Sequence, residues 1–210
     1  MSDFLVPFGS RAYAQAFLLL LAVRGMDFLS TRMATPNLVL EGNPVAQKLG
    51  WRWGILVNLA VCFGFAFWPL PAMVISTVSV LAAARNFQYA WVIRSMGEAR
   101  YLEWYTERLR ETSVAFYLFC LFGQAALTAG VGGAVILLTN WRRDRALLAI
   151  GLGIVAYAIT VAFYTLLDTW RMHCLGLRRQ RPPRPSGLTV RARSSRWQHV
   201  GSESRTTSKR

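Results

Sequence analysis

Asp27, Glu41 and Arg85 are the residues of this chain whose types could do chemistry. Two carboxylates near a guanidinium can position a water for acid–base work, or grip a phosphate through charge-assisted hydrogen bonds. Asp27 follows Arg24 by three residues within the helix-length apolar run AYAQAFLLLLAVRGMDFLST, residues 12–31, so the two charges share a helix face. A charge in such a run turns to a protein interior, a partner or a cavity rather than to lipid. Arg24 is therefore expected to pair with a carboxylate, Asp27 being nearest in sequence. Glu41 opens the turn Glu41-Gly42-Asn43-Pro44. Asn43 suits a helix N-cap and Pro44 a first helical residue, so Glu41 reads either as a dipole partner in a tight turn or as a functional carboxylate.

Around these candidates stands a wider polar set. Arg24, Thr31, Asn43, Asn58, Asn86, Gln88, Tyr164 and Asp168 are candidate binding residues, drawn from four apolar runs and one loop. Such residues can equally be interhelical ties. Other chemistries find no support. The sequence contains no HExxH, GxSxG or Gly-rich phosphate loop. His173 and His199 lie at and beyond the last apolar run, which argues against a histidine zinc site, and no metal or cofactor is indicated. Cys62, Cys120 and Cys174 form no CxxC and read as small packing residues.

The elements that must position these residues are spanning helices. The chain has 210 residues, 54% of them hydrophobic, and a mean hydropathy of +0.31. Five apolar runs, at about 12–33, 54–68, 72–93, 113–139 and 146–168, predict an all-α polytopic membrane protein, because lipid leaves no partner for an open strand edge. The first run has no basic cluster before it and no small-x-small site after it, so it reads as a retained anchor rather than a cleaved signal. Pro69-Leu70-Pro71 reads as a hairpin between the second and third runs. A short helix is expected over about 44–49 with Gly50 as its terminator. GEARYLEWYTERLRET, 97–112, reads as an amphipathic interfacial helix with Tyr101, Trp104 and Tyr105 at headgroup level. Ala125, Ala129 and Gly133, and then Ala149 and Gly153, form small-residue packing stripes.

Charge sets the expected orientation. Of the net +14, residues 171–210 carry +10, with eleven Lys/Arg and one Glu. This Pro-, Ser- and Arg-rich segment is expected to be a disordered cytoplasmic tail that anionic headgroups attract, and a specific nucleic-acid site is not expected. The positive-inside rule then puts the N-terminus outside an inner membrane, and the loops 34–53 and 94–112 in the cytoplasm. Trp141-Arg142-Arg143-Asp144-Arg145 is the contrary loop. In this orientation the polar set gathers in the cytoplasmic half of the bilayer.

The spacing Asp27-Phe-Leu-Ser-Thr31, followed by Glu41-Gly-Asn43-Pro44, resembles a family of uncharacterised prokaryotic polytopic membrane proteins with Asp-x-x-x-Thr ending the first helix and Glu-x-Asn-Pro after it. The resemblance covers about residues 20–70 and implies a membrane protein without an assigned reaction. Three functions fit the sequence: a cytoplasm-facing polar pocket that binds or acts on a lipid headgroup, a non-enzymatic scaffold for anionic lipid or a protein partner, and a small-solute carrier. Oligomeric state is left open.

Overall fold

The computed structural model describes residues 5–38, 40, 44–140 and 143–179. They form six helices and no strand: α1 (Arg11–Ala34), α2 (Pro44–Phe65), α3 (Pro69–Met96), α4 (Glu98–Glu111), α5 (Val114–Leu138) and α6 (Arg145–Arg179). Four of them, α1, α3, α5 and residues Arg145–Leu167 of α6, are long and apolar enough to cross a membrane. Glu41, Gly42 and Asn43 lie outside the described residues, as do 141–142 of the contrary loop and 180–210 of the expected tail.

Local signals place the helix ends. Ser10 caps α1, its hydroxyl accepting from Tyr13 N at 3.2 Å, and Ser113 caps α5 through Phe116 N at 3.4 Å. Gly50, at φ +64°, interrupts α2. Only a residue without a Cβ adopts this geometry cheaply, and so the expected short helix ends there. The remainder of α2, residues 51–65, is about 22 Å long at 1.5 Å per residue, shorter than the hydrocarbon core. Pro69 occupies the first turn of α3, where its missing N–H is harmless. Gly97, at φ +82°, turns α3 into α4. α6 continues to Arg179, beyond the expected end of the last run at 168. No proline lies between Pro71 and Pro182, and the start of the expected tail is helical to Arg179.

Helix α3 is central, with α1 on one side and α6, carrying α5, on the other. Its buried residues are Ala72, Ser76, Ser79, Ala83, Ala90 and Ile93. With half-buried Asn86 they alternate at spacings of four and three, the repeat of a coiled-coil seam. α1 answers with buried Tyr13, Leu20, Val23, Ser30 and Ala34, and half-buried Ala16 and Asp27 complete the same repeat. The two helices run parallel. Arg24 meets Ser79, Thr31 meets Asn86, and Ala34 packs with Ala90 and Ile93. α2 runs antiparallel to α1, from Trp51 beside Phe28 to the Phe63 carbonyl beside Tyr13. The turn at 66–68, just before Pro69, therefore closes the expected hairpin.

Small residues line the contacts and large ones face outward. Leu18, Phe63, Trp91, Phe119, Leu127, Leu138 and Phe163 are all exposed, while Ala66, Ala72, Ala83, Ala149 and Ala158 are buried. That inversion suits lipid as the solvent, where close backbone approach rather than side-chain burial holds helices together. On α6, Gly153 lets Thr77 approach, since an added Cβ would lie 2.6 Å from the Thr77 Cβ. Between α5 and α6, a Cβ on Gly132 would meet the Gly151 carbonyl oxygen at 2.8 Å, whereas one on Gly133 would meet nothing within 4 Å. The expected α5 stripe is thus displaced by one residue at this position. Gly132→Leu is expected to destabilise the α5–α6 pair by about 1–3 kcal/mol, the usual cost of overpacking. Gly133→Ala should leave the melting temperature in detergent unchanged or slightly raised.

Candidate functional site

Arg24 draws three helices to one point. Its Nη1 donates to Asp27 Oδ2 at 3.2 Å, within α1, and to Ser79 Oγ on α3 at 3.3 Å. Its Nη2 donates to Asn58 Oδ1 on α2. The planar, always-charged fork of arginine permits such divergent donation, which a lysine ammonium would not reproduce in the same plane. Asn58 is itself oriented by donating to the Gly54 carbonyl at 2.8 Å. The guanidinium Nε is buried and has no partner among the described residues.

Two turns further along the seam lies a second polar layer. Ser30 and Thr31 each donate to the Asp27 carbonyl, at 2.8 Å and 2.9 Å. Asn86 Nδ2 donates in turn to Thr31 Oγ1 at 3.0 Å and to Ser30 Oγ at 3.3 Å. At the helix ends Arg94 Nε donates to the Met33 carbonyl at 2.7 Å, and Trp51 Nε1 to the Pro36 carbonyl at 2.9 Å. Glu98 Oε1 accepts from both Asn37 N and Asn37 Nδ2. Polar contacts thus follow the α1–α3 seam from Arg24 to the start of α4.

The candidate residues divide accordingly. Arg24, Asp27 and Asn58 meet in the first layer, and Thr31 and Asn86 in the second. Arg85 takes another direction, its guanidinium 5.9 Å from the centroid of the Tyr89 ring. Gln88 is exposed. Tyr164 packs edge-on against Phe163, with centroids 5.4 Å apart. Glu41, Asn43 and the side chain of Asp168 lie outside the described residues, so the Asp27–Glu41–Arg85 grouping has no geometry here. Among the described residues no group of three His, Cys, Asp or Glu could hold a metal ion.

Sequence reasoning missed Ser79, the α3 member of the first layer. Its signal was present, since Ser79 lies on the four-and-three repeat of small residues in α3. It also gave Tyr101 and Tyr105 no packing partners. Tyr101 packs on Ala34, Ala90 and Ile93. The Tyr105 hydroxyl lies 3.2 Å from that of Tyr117 on α5, which accepts from Thr169 of α6 at 3.2 Å. These tyrosines fasten α4 to the bundle. Burial pushes the Tyr101 hydroxyl above the ordinary tyrosine pKa, with Tyr89 adding to the rise and Arg85 opposing it.

The fold and its surface are those of a helical membrane protein built around a polar seam. No protein family, curated protein or solved structure matches the chain.

The geometry makes the Arg24 cluster a coupled unit. Asp27→Ala leaves a guanidinium short of its counter-charge, whereas Arg24→Ala with Asp27→Ala removes both charges. The single variant should lose more stability than the double, toward the roughly 3 kcal/mol seen when one partner of a buried pair is removed. Thermal unfolding in a neutral detergent measures the difference, and equal losses would show that the two charges are not coupled.

Proposed function

We propose that this chain is a five-crossing membrane protein that works by binding rather than catalysis, as a scaffold whose α4 end and basic C-terminal segment engage anionic lipid from the cytoplasmic side. The observation that carries this reading is the engagement of Arg24. The charge best placed for intramembrane chemistry is spent on Asp27, Asn58 and Ser79 from three helices. A guanidinium so divided is a tie between helices.

The fifth crossing is the part of α2 after Gly50, which descends beside α1, with Trp51 and Trp53 at one end and Trp68 just beyond the other. Its shortness is made up by these interfacial tryptophans and by local bilayer thinning. The orientation follows from the basic residues. Arg32, Lys48, Arg52, Arg94, Arg100, Arg108 and Arg110 belong to the α4 end, against Arg11, Arg143 and Arg145 at the other, and α6 finishes at the α4 end. Likeness to the Asp-x-x-x-Thr, Glu-x-Asn-Pro family is compatible with this reading and adds no reaction to it.

A lipid-headgroup enzyme is the second reading. The buried, unpartnered Nε of Arg24 favours it, because that N–H could receive an oxygen of a substrate. Complementation of a deletion strain separates the two. Arg24→Met combined with Asp27→Leu replaces the pair by apolar groups of similar size, a change that buried pairs tolerate. A scaffold keeps its cellular phenotype in that variant, at matched expression and melting temperature, and loses it when residues 180–210 are removed. An enzyme centred on Arg24 shows the reverse. Reporter fusions at Arg210 and in the 140–145 loop test the orientation, and an external signal from Arg210 would overturn it.

A further inference from the structure

Arg85 is engaged differently from Arg24, Arg94 and Arg32. Arg24 has three partners, Arg94 has the Met33 carbonyl, and Arg32 lies over the Trp51 ring in the loop-side turn of α1. Arg85 stands inside a helix apolar enough to cross a membrane. Its guanidinium lies against the Tyr89 ring and has no carboxylate partner and no hydrogen bond among the described residues. Its depth can be read from the seam. The Arg24–Ser79 and Thr31–Asn86 bonds both pair residues 55 apart, which sets Arg85 level with Ser30. Ser30 is four residues before the last residue of α1, or about 6 Å at 1.5 Å per residue. An arginine at that depth reaches the headgroup layer by extending its stem along the helix.

The surroundings of Arg85 fit one ligand chemistry. Tyr101 of α4 sits over the same part of α3, packed on Ala90 and Ile93. Arg85 is near enough to act on the Tyr101 hydroxyl, partly offsetting the rise that burial and Tyr89 produce in its pKa. On the lipid side Phe87, Tyr89 and Trp91 are exposed, Trp91 by 71%. Arg85 and Tyr101 therefore border the same stretch of α3, whose exposed aromatic residues face lipid. We propose that Arg85, together with Tyr101, binds the phosphate of a phospholipid in the leaflet at the α4 end. The guanidinium fork donates to two phosphate oxygens and the Tyr101 hydroxyl donates to one, while Trp91, nearer the α4 end of α3, lies at headgroup level. This rests on the membrane placement proposed above, but not on the tail or on the side of the membrane.

Native mass spectrometry of the full chain in neutral detergent, titrated with phosphatidylglycerol, tests the site. Wild-type protein is expected to retain one lipid about ten times more tightly than Arg85→Gln, the size of effect one charge-assisted contact gives. Tyr101→Phe, which keeps the ring and the packing, should lose affinity several-fold with an unchanged melting temperature. Arg11→Gln, an exposed charge at the opposite end of the bundle, should have no effect. Identical retention by wild type and Arg85→Gln would overturn the proposal. So would equal retention of a diacylglycerol with the same chains, which would mark an apolar groove. Full displacement by millimolar inorganic phosphate would mark a free-anion site and overturn it as well. A gain in lipid retention on Glu41→Gln, with Arg85→Gln neutral, would give Arg85 to that carboxylate instead. The scaffold reading fails by a different measurement, a harmless removal of 180–210, so the two failures are distinguishable.

Discussion

The Arg24 guanidinium is the contact on which the arrangement of the first three helices depends. In lipid there is no hydrophobic force between helices, since acyl chains are as apolar as leucine. Orientation then comes from close packing and from polar groups with nowhere else to bond. Arg24 reaches Asp27 on its own helix, Asn58 on α2 and Ser79 on α3. Sliding any of the three helices would strand a charge or an amide in the bilayer, which gives the bundle one register.

The seam explains why this polar layer can exist. Small residues on α3 allow α1 to approach closely, and the parallel four-and-three repeat places Asp27, Ser30, Ser79 and Asn86 at facing levels. A polar residue at such a position specifies register and pairing at some cost in stability. The second layer, Ser30, Thr31 and Asn86, repeats the device two turns from the first. α6 meets α3 through Gly153, and α5 meets α6 through Gly132 and Gly151, by close backbone contact without charges. The two halves of the bundle are therefore held differently. α1–α3 are fixed by a network of directional bonds, and α5–α6 mainly by shape, with the Thr169–Tyr117 hydroxyl bond between them.

Much of this was legible in the residues. Hydropathy located the helices, and Gly50 and the 69–71 prolines marked breaks for reasons of backbone geometry alone. The three-residue spacing of Arg24 and Asp27 was sufficient to pair them. Tertiary partners were less legible. Hydropathy cannot distinguish Gly132 from Gly133, because both are small and only the crossing point of α6 selects one. Ser79 carries no charge and little polarity, so it stood out only through its place in the repeat. Tyr101 and Tyr105 have the composition of interfacial aromatics and yet turn inward, because α4 folds back onto Ala34, Ala90 and Tyr117. Arg85 could be flagged as a charge in an apolar run, but the direction of its side chain is a property of the packed bundle.

The central claim, that Arg24 holds α2 against α1 and α3, can be measured by thiol cross-linking in membranes, with Cys62, Cys120 and Cys174 replaced by alanine. Phe28 and Trp51 have ring centroids 4.9 Å apart across the α1–α2 contact, and Ala34 and Ala90 share the α1–α3 core. Cysteines at 28 and 51 should cross-link efficiently in the presence of Arg24 and several-fold less after Arg24→Leu, while cysteines at 34 and 90 cross-link equally in both. An α1–α2 yield that does not respond to Arg24→Leu would contradict the account.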